Sequence, residues 1–79
     1  MRRYKRDTML LVEWVDIMED PAWQDHAKAE LEKAEICQTL GFYLNHDKHV
    51  VRLSSTIAKD QRNVVVIPLG CIKKVRKVI

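Results

Sequence analysis

The chain has little of what marks a disulfide-rich, fibrous or membrane-spanning protein. Its 79 residues include two glycines, two prolines and two cysteines, and aromatic residues make up 6%. Two cysteines are too few for the disulfide framework of a small secreted domain, so Cys37 and Cys71 are expected to be small buried residues in a reducing compartment. No apolar run approaches the roughly 18 residues of a membrane span, and none suits a secretory signal. These absences predict a soluble, cytoplasmic protein with no membrane partner.

The composition predicts one folded domain. Apolar residues make up 47% of the chain and charged residues 32%, which is typical of soluble globular proteins. A chain of 79 residues leaves no material for a second core, so we expect a single domain over residues 1–79. Residues 1–7 are interpreted as a basic N-terminal arm, with its flexibility left open.

Charge is distributed unevenly along the chain. Residues 1–6 carry four basic side chains and no acidic one. Residues 7–60 hold all 11 acidic residues against five basic ones, a net charge of −6, and residues 61–79 add five basic residues and no acidic one. If the two basic segments meet in the fold, they form one positive patch. The alternative is that they only keep a small domain soluble.

Alternating apolar residues predict five β-strands, over residues 8–15, 36–44, 49–57, 64–67 and 73–79. In the first, Leu10, Val12 and Trp14 share one face. The turn residues 45–48 join the second and third strands into a hairpin. Pro68 ends the fourth strand, and residues 69–72 suit one tight turn of 3₁₀ type.

One helix is predicted between the first two strands. Asp20 and Pro21 are a favourable helix start, and residues 21–34 are mostly good helix formers. Their spacing places four residues on one stripe that is expected to face a core: Trp23, Ala27, Leu31 and Ala34.

This order of elements predicts a mainly β fold with one helix, in the α+β class. The plan is that of an SH3-like five-stranded small barrel, with the helix inserted in the first long loop. Closing the sheet would remove its exposed edges. Sm-like barrels are the close alternative, although they usually place their helix before the first strand.

Three short segments resemble those of short bacteriophage- or prophage-encoded proteins of unknown function. The segments are Val-Glu-Trp-Val-Asp at residues 12–16, Cys-Gln-Thr-Leu-Gly-Phe at residues 37–42, and Ile-Pro-Leu-Gly-Cys-Ile at residues 67–72. The resemblance implies a phage or prophage origin and the host cytoplasm as the location. It implies no activity.

No enzyme, metal site or cofactor is predicted. His46 and His49 flank Asp47, but their spacing to Cys37, Cys71 or His26 is not that of a zinc site, and hairpin turns favour Asn and Asp for backbone reasons. Nothing pairs Ser54, Ser55 or either cysteine with a general base. Carboxylate pairs such as Glu13 with Asp16, or Glu19 with Asp20, are expected by chance in a chain so rich in acids.

Binding of nucleic acid is one of two functional hypotheses. Lys and Arg side chains contact phosphates, and aromatic rings stack on bases. Tyr4 and Tyr43 are the rings expected to be free to stack, since Trp14, Trp23 and Phe42 are assigned to the core. The predicted binding residues are Arg2, Arg3, Tyr4, Lys5, Arg6, Lys73, Lys74, Arg76 and Lys77.

The favoured hypothesis is a non-enzymatic protein-interaction or adaptor module that self-associates as a homo-oligomer. Small barrels often present a groove or strand edge to a partner, and a small domain has much apolar surface left to cover. The partner would be a second copy, another phage protein or a host protein that is inhibited. The first strand and the residues just after it carry more apolar side chains than one wall of a thin barrel needs to bury. These residues are Met9, Leu11, Val15, Ile17 and Met18.

Overall fold

The computed structural model describes residues 1–17 and 21–79. In chain order the elements are β1 (Met9–Val15), α1 (His26–Ala29), β2 (Ile36–His46), β3 (Val50–Ser54), β4 (Val65–Pro68), a 3₁₀ turn (Leu69–Cys71) and β5 (Ile72–Lys77). The protein is therefore mainly β with one short helix, as predicted. Within these residues no helix has the length and apolar character needed to cross a membrane.

The five strands form one antiparallel sheet in the order β4-β3-β2-β1-β5. The predicted strands all occur, with boundaries shifted by a few residues. The 3₁₀ turn joins the two edge strands, and its start is fixed by the Leu69 amide, which donates to the carbonyl of His49 at 2.8 Å. After this turn, β5 pairs with β1, and this pairing brings residues 72–77 close to the start of the chain.

The core is small and lies on one face of the sheet. Its fully buried members come from β1, β2, β3 and β4, and each is at most 2% exposed: Leu10, Val12, Tyr43, Val51, Leu53 and Ile67. Trp14, predicted to share a face with Leu10 and Val12, packs half-buried against this cluster, as does Val75 of β5. Among the described residues these six are the fully buried apolar side chains, so each of them matters for stability.

Gly41 marks the closest approach of β2 to β3. A Cβ atom at this position would lie 3.0 Å from the Cβ of Leu53 and 3.2 Å from the backbone oxygen of Ser54. A larger residue at this position would require Leu53 or the backbone at Ser54 to shift by a few tenths of an ångström. A bulge between Tyr43 and Asn45 follows, and it bends the strand further around the core.

The predicted hairpin between β2 and β3 is present, and Asp47 fixes its turn. One carboxylate oxygen accepts hydrogen bonds from the amides of His49 (2.7 Å) and Val50 (3.0 Å), and the other accepts from Arg52 (3.0 Å). These bonds lower the pKa of Asp47 from 3.8 to about 2. Their contribution to stability is present above pH 3.8 and is lost as the pH falls through about 2.

The predicted helix over residues 21–34 is wrong in extent. The helix α1 is a single turn that begins after Asp25, whose carboxylate accepts from the Lys28 amide at 2.8 Å; Asp20 lies outside the described residues. Its predicted core stripe is also wrong, because Trp23 is 101% exposed and Leu31 is 74% exposed. Good helix formers without a core surface to pack on do not sustain a long helix.

Residues 16–35 connect β1 to β2 and are here called the excursion; the structure describes residues 16–17 and 21–35 of them. The molecule measures 51 × 24 × 23 Å, and its radius of gyration is 15.8 Å. A compact chain of this length has a radius of gyration of about 12 Å. The protein is therefore elongated.

Candidate nucleic-acid interface

A turn at residues 5–8 directs the N-terminal segment back across the sheet. The amide of Thr8 donates to the carbonyl of Lys5 (3.1 Å), and the amide of Asp7 donates to the carbonyl of Tyr43 (2.7 Å). Asp7 has a φ of 67°, in the left-handed region that Asp tolerates better than most residues. Residues 5–8 are thus tied to the sheet.

Asp7 also forms an ion pair with Arg62. The nearest atoms of the two side chains are 2.8 Å apart, and the hydrogen bond from Arg62 lowers the pKa of the Asp7 carboxyl. This pairing neutralises the acidic residue closest in sequence to the N-terminal basic segment. Because Arg62 is paired with Asp7, the cations of the two basic segments that could contact a ligand are those of β5 and of residues 1–6.

Tyr4 is the aromatic side chain that accompanies these cations. Its half-buried ring packs edge-on against Tyr43, with centroids 5.6 Å apart, and the Arg2 guanidinium lies 5.4 Å from the Tyr4 centroid. Tyr43 itself is 1% exposed, and its hydroxyl shares a hydrogen bond of 2.6 Å with Nδ1 of His46. The prediction that Tyr43 is free to stack is therefore wrong, because it is a core residue.

Two of the other aromatic side chains, Trp23 and Phe42, are also placed differently from the prediction, whereas Trp14 packs against the core as expected. Trp23 is exposed rather than in the core. Phe42 is half-buried on the face of β2 opposite to Tyr43. Trp14 is half-buried, and its indole nitrogen donates to the Thr39 hydroxyl at 2.9 Å.

The last strand carries four exposed basic residues on an irregular register. Lys74 pairs with Glu13 and Arg76 with Leu11, whereas Ile72 pairs with Trp14, so Lys73 is the extra residue of a bulge. A bulge turns a side chain away from the regular alternation of a strand. Here it makes Lys73 the unpaired residue, whereas Lys74 lies opposite Glu13.

The two basic segments meet in one groove of about 390 Å³, here called the basic groove. The residues that line it are Met1, Arg2, Tyr4, Leu69, Ile72, Lys73, Lys74 and Val75. None of them is acidic. In the part of the chain that the structure describes, Arg2, Lys73 and Lys74 form no ion pair. The groove therefore combines the cations of Arg2 and Lys73 with an aromatic ring, whereas Lys74, which also lines it, lies opposite Glu13 of β1.

Of the predicted binding residues, Arg2, Tyr4, Lys73 and Lys74 line the basic groove. The other five are exposed but lie outside its lining: Arg3, Lys5, Arg6, Arg76 and Lys77. Leu69, Ile72 and Val75 were not predicted as site residues, although they form the apolar floor of the groove where it meets the core. The alternation within β5 is the sequence signal that could have identified Val75.

The candidate nucleophiles and metal ligands are occupied or dispersed. Burial raises the pKa of the Cys37 thiol, and the nearby carboxylates of Asp16 and Glu35 raise it further, so this thiol stays protonated near neutral pH. His46 is bonded to Tyr43, and Asp47 to Arg52. Across residues 1–17 and 21–79, no three His, Cys, Asp or Glu side chains come together as a metal site; Glu19 and Asp20 lie outside those residues.

Comparison of the chain with known protein families, with curated proteins and with solved structures finds no match. What the protein binds is therefore inferred from the basic groove.

Proposed function

We propose that this protein is a non-enzymatic binding module that holds a single strand of nucleic acid in the basic groove. The observation that carries the proposal is the meeting of the two basic segments: Arg2 lines the same groove as Lys73 and Lys74, together with Tyr4. The adjacency of the two segments places nucleic-acid binding ahead of the adaptor hypothesis.

Phosphate contacts would supply most of the affinity. Lys and Arg side chains displace the counterions of a nucleic-acid backbone. A cation that has no acidic partner can do this without first breaking an ion pair. Five further basic side chains stand exposed beyond the groove and extend its positive field. The acidic residues that would repel a phosphate backbone are absent from the lining of the groove.

Tyr4 and the apolar floor favour a single strand over a duplex. Bases of a single strand can leave the stack and pack on an aromatic ring, whereas paired bases cannot. One edge of Tyr4 is fixed against Tyr43, which holds the ring in place without a large loss of entropy on binding. Leu69, Ile72 and Val75 offer apolar surface to a base beside it.

The proposal includes the SH3-like barrel as the scaffold. The strand order and the 3₁₀ turn before the last strand support a small barrel, and the position of α1 between β1 and β2 favours the SH3-like class over the Sm-like one. In a protein of phage origin, which the sequence resemblance implies, the strand would be met in the host cytoplasm.

A self-associating adaptor is the second candidate function. It is favoured by the exposed apolar side chains of the excursion, where Ile17 is 88% and Trp23 101% exposed. Met9, Leu11 and Val15 are half-buried in β1, and Met18 lies outside the described residues.

Fluorescence anisotropy of a labelled oligonucleotide tests the proposal. The variant K73Q/K74Q removes two groove cations, and we expect it to bind single-stranded DNA at least about tenfold more weakly at about 50 mM salt. The matched control K48Q/K59Q removes two exposed lysines outside the groove and should stay within about twofold of the parent protein. Circular dichroism verifies that both variants fold.

Equal losses in the two variants would show that only the total charge matters and would reject the groove. No binding of single-stranded DNA or RNA by the parent protein at low salt would reject nucleic-acid binding altogether.

A further inference from the structure

We propose that the excursion of a second copy of this chain docks in the basic groove and thereby excludes nucleic acid from it. Part of this inference, the exclusion of nucleic acid, rests on the proposed function. The dimer itself does not, because it follows from the surfaces of the chain alone.

The excursion is strongly acidic and displays apolar side chains. The described residues of the excursion, 16–17 and 21–35, include five acidic residues and two lysines, a net charge of −3. Asp25, Glu30 and Glu32 are exposed around α1. Trp23 and Leu31, on either side of this turn of helix, are 101% and 74% exposed.

The basic groove is complementary to that surface in both charge and polarity. Its lining includes Arg2 and Lys73, which form no ion pair within the described residues, and Lys74, which lies opposite Glu13 of β1. Its floor is formed by Leu69, Ile72 and Val75, which only partly pack against the core. An indole ring can bury on such a floor while neighbouring carboxylates meet the cations at the rim.

A second copy of the chain provides one excursion for each basic groove. Each chain has one excursion and one basic groove, and Trp23 stays exposed on its own chain. Two chains can therefore exchange excursions reciprocally, so that both grooves are filled and the assembly closes as a two-fold dimer. Carboxylates in the groove take the places that phosphates would occupy, so dimer and nucleic-acid complex exclude each other.

Sedimentation velocity over a concentration series measures the dimer. We expect the parent protein to dimerise at about 50 mM salt and to dissociate as salt is raised, because the contact is largely ionic. W23A removes an exposed side chain that the fold does not use, and it should weaken the two-fold dimer about 1,000-fold, because each dimer loses two Trp anchors worth about 30-fold each. V66A, which trims an exposed apolar residue of β4, is the control and should dimerise like the parent protein.

A mixing experiment separates docking from structural damage. W23A has an intact groove, and K73Q/K74Q has an intact excursion, so each alone should be largely monomeric. Mixed in equal amounts, the two variants should form heterodimers. In these, the intact excursion of K73Q/K74Q docks in the intact groove of W23A. A mixture that stays monomeric, while the parent protein dimerises, would overturn the docking geometry.

Single-stranded DNA distinguishes failure of this inference from failure of the proposed function. The expected result is that DNA converts the dimer into a monomer–DNA complex and that W23A binds DNA more tightly than the parent protein. A parent protein that binds DNA but remains monomeric at every concentration contradicts the dimer and leaves the proposed function standing. A dimer that neither binds DNA nor dissociates when DNA is added contradicts the proposed function but not the docking.

Discussion

Raising the salt concentration from about 50 to about 200 mM is expected to weaken the binding of single-stranded DNA about 50-fold, if about four cations contact phosphates. This number follows from counterion release, which gives a slope of about −0.7 per phosphate contact for single strands in a plot of log affinity against log salt. Arg2, Lys73 and Lys74 line the basic groove and would supply three of these contacts. The exposed basic residues next to it supply the remainder.

Anisotropy titrations at several salt concentrations measure this slope. In K73Q/K74Q the slope should be shallower by about 1.4, because two phosphate contacts are gone, while K48Q/K59Q should keep the parent slope. An affinity that hardly changes with salt would mean that phosphate contacts do not drive binding, and the groove would have to bind something else.

Replacing Leu53 with alanine is expected to lower the free energy of unfolding by about 2–5 kcal/mol, the range for a buried leucine that leaves a cavity. Leu53 is 0% exposed and packs where β3 comes closest to Gly41. The core has six fully buried apolar residues, so the neighbours cannot easily fill the space. Such a loss is a large part of the total stability of a small domain.

Leu40 provides the matched control. It lies on the opposite face of the sheet and is 53% exposed, so L40A should change the free energy of unfolding by about 0.5 kcal/mol or less. Urea unfolding followed by circular dichroism compares the two variants. Similar losses in L53A and L40A would contradict the assignment of the core to the face that carries Leu10, Val12 and Leu53.

The strands were predictable from the sequence because a half-buried strand alternates with a period of two. In residues 8–15 the predicted face of Leu10 and Val12 is the buried one, although the opposite face is also mostly apolar. In β2 the pattern was misleading, because the more apolar face, which carries Leu40 and Phe42, is not the buried one. Phe42 was therefore assigned to the core, and Tyr43, which is buried, was assigned to the surface.

The helix shows the limit of local propensity. Residues 21–34 have the composition and spacing of an amphipathic helix, yet an isolated short helix gains its stability from packing on a core. No core surface lies beneath Trp23 or Leu31. Trp23 and Leu31, which were predicted to face the core from a long helix, are the exposed side chains proposed for docking.

The basic residues of the site were predictable by type but not by position. The sequence shows that residues 1–6 and 73–77 are basic, whereas their meeting depends on the pairing of β5 with β1 and on the turn at Asp7. Both are long-range features that a linear pattern does not reveal. The bulge at Lys73 could not be predicted either, since it arises from the register between two strands.

An NMR titration of the ¹⁵N-labelled protein with single-stranded DNA tests the central claim most directly, because it shows where the strand lies. Binding in the basic groove predicts shifted amide signals for residues 2–5 and 69–75, with the β2–β3 hairpin around Asp47 unchanged. Shifts confined to the excursion or to the hairpin, or no shifts at all at low salt, would contradict the assignment of the groove as a nucleic-acid interface.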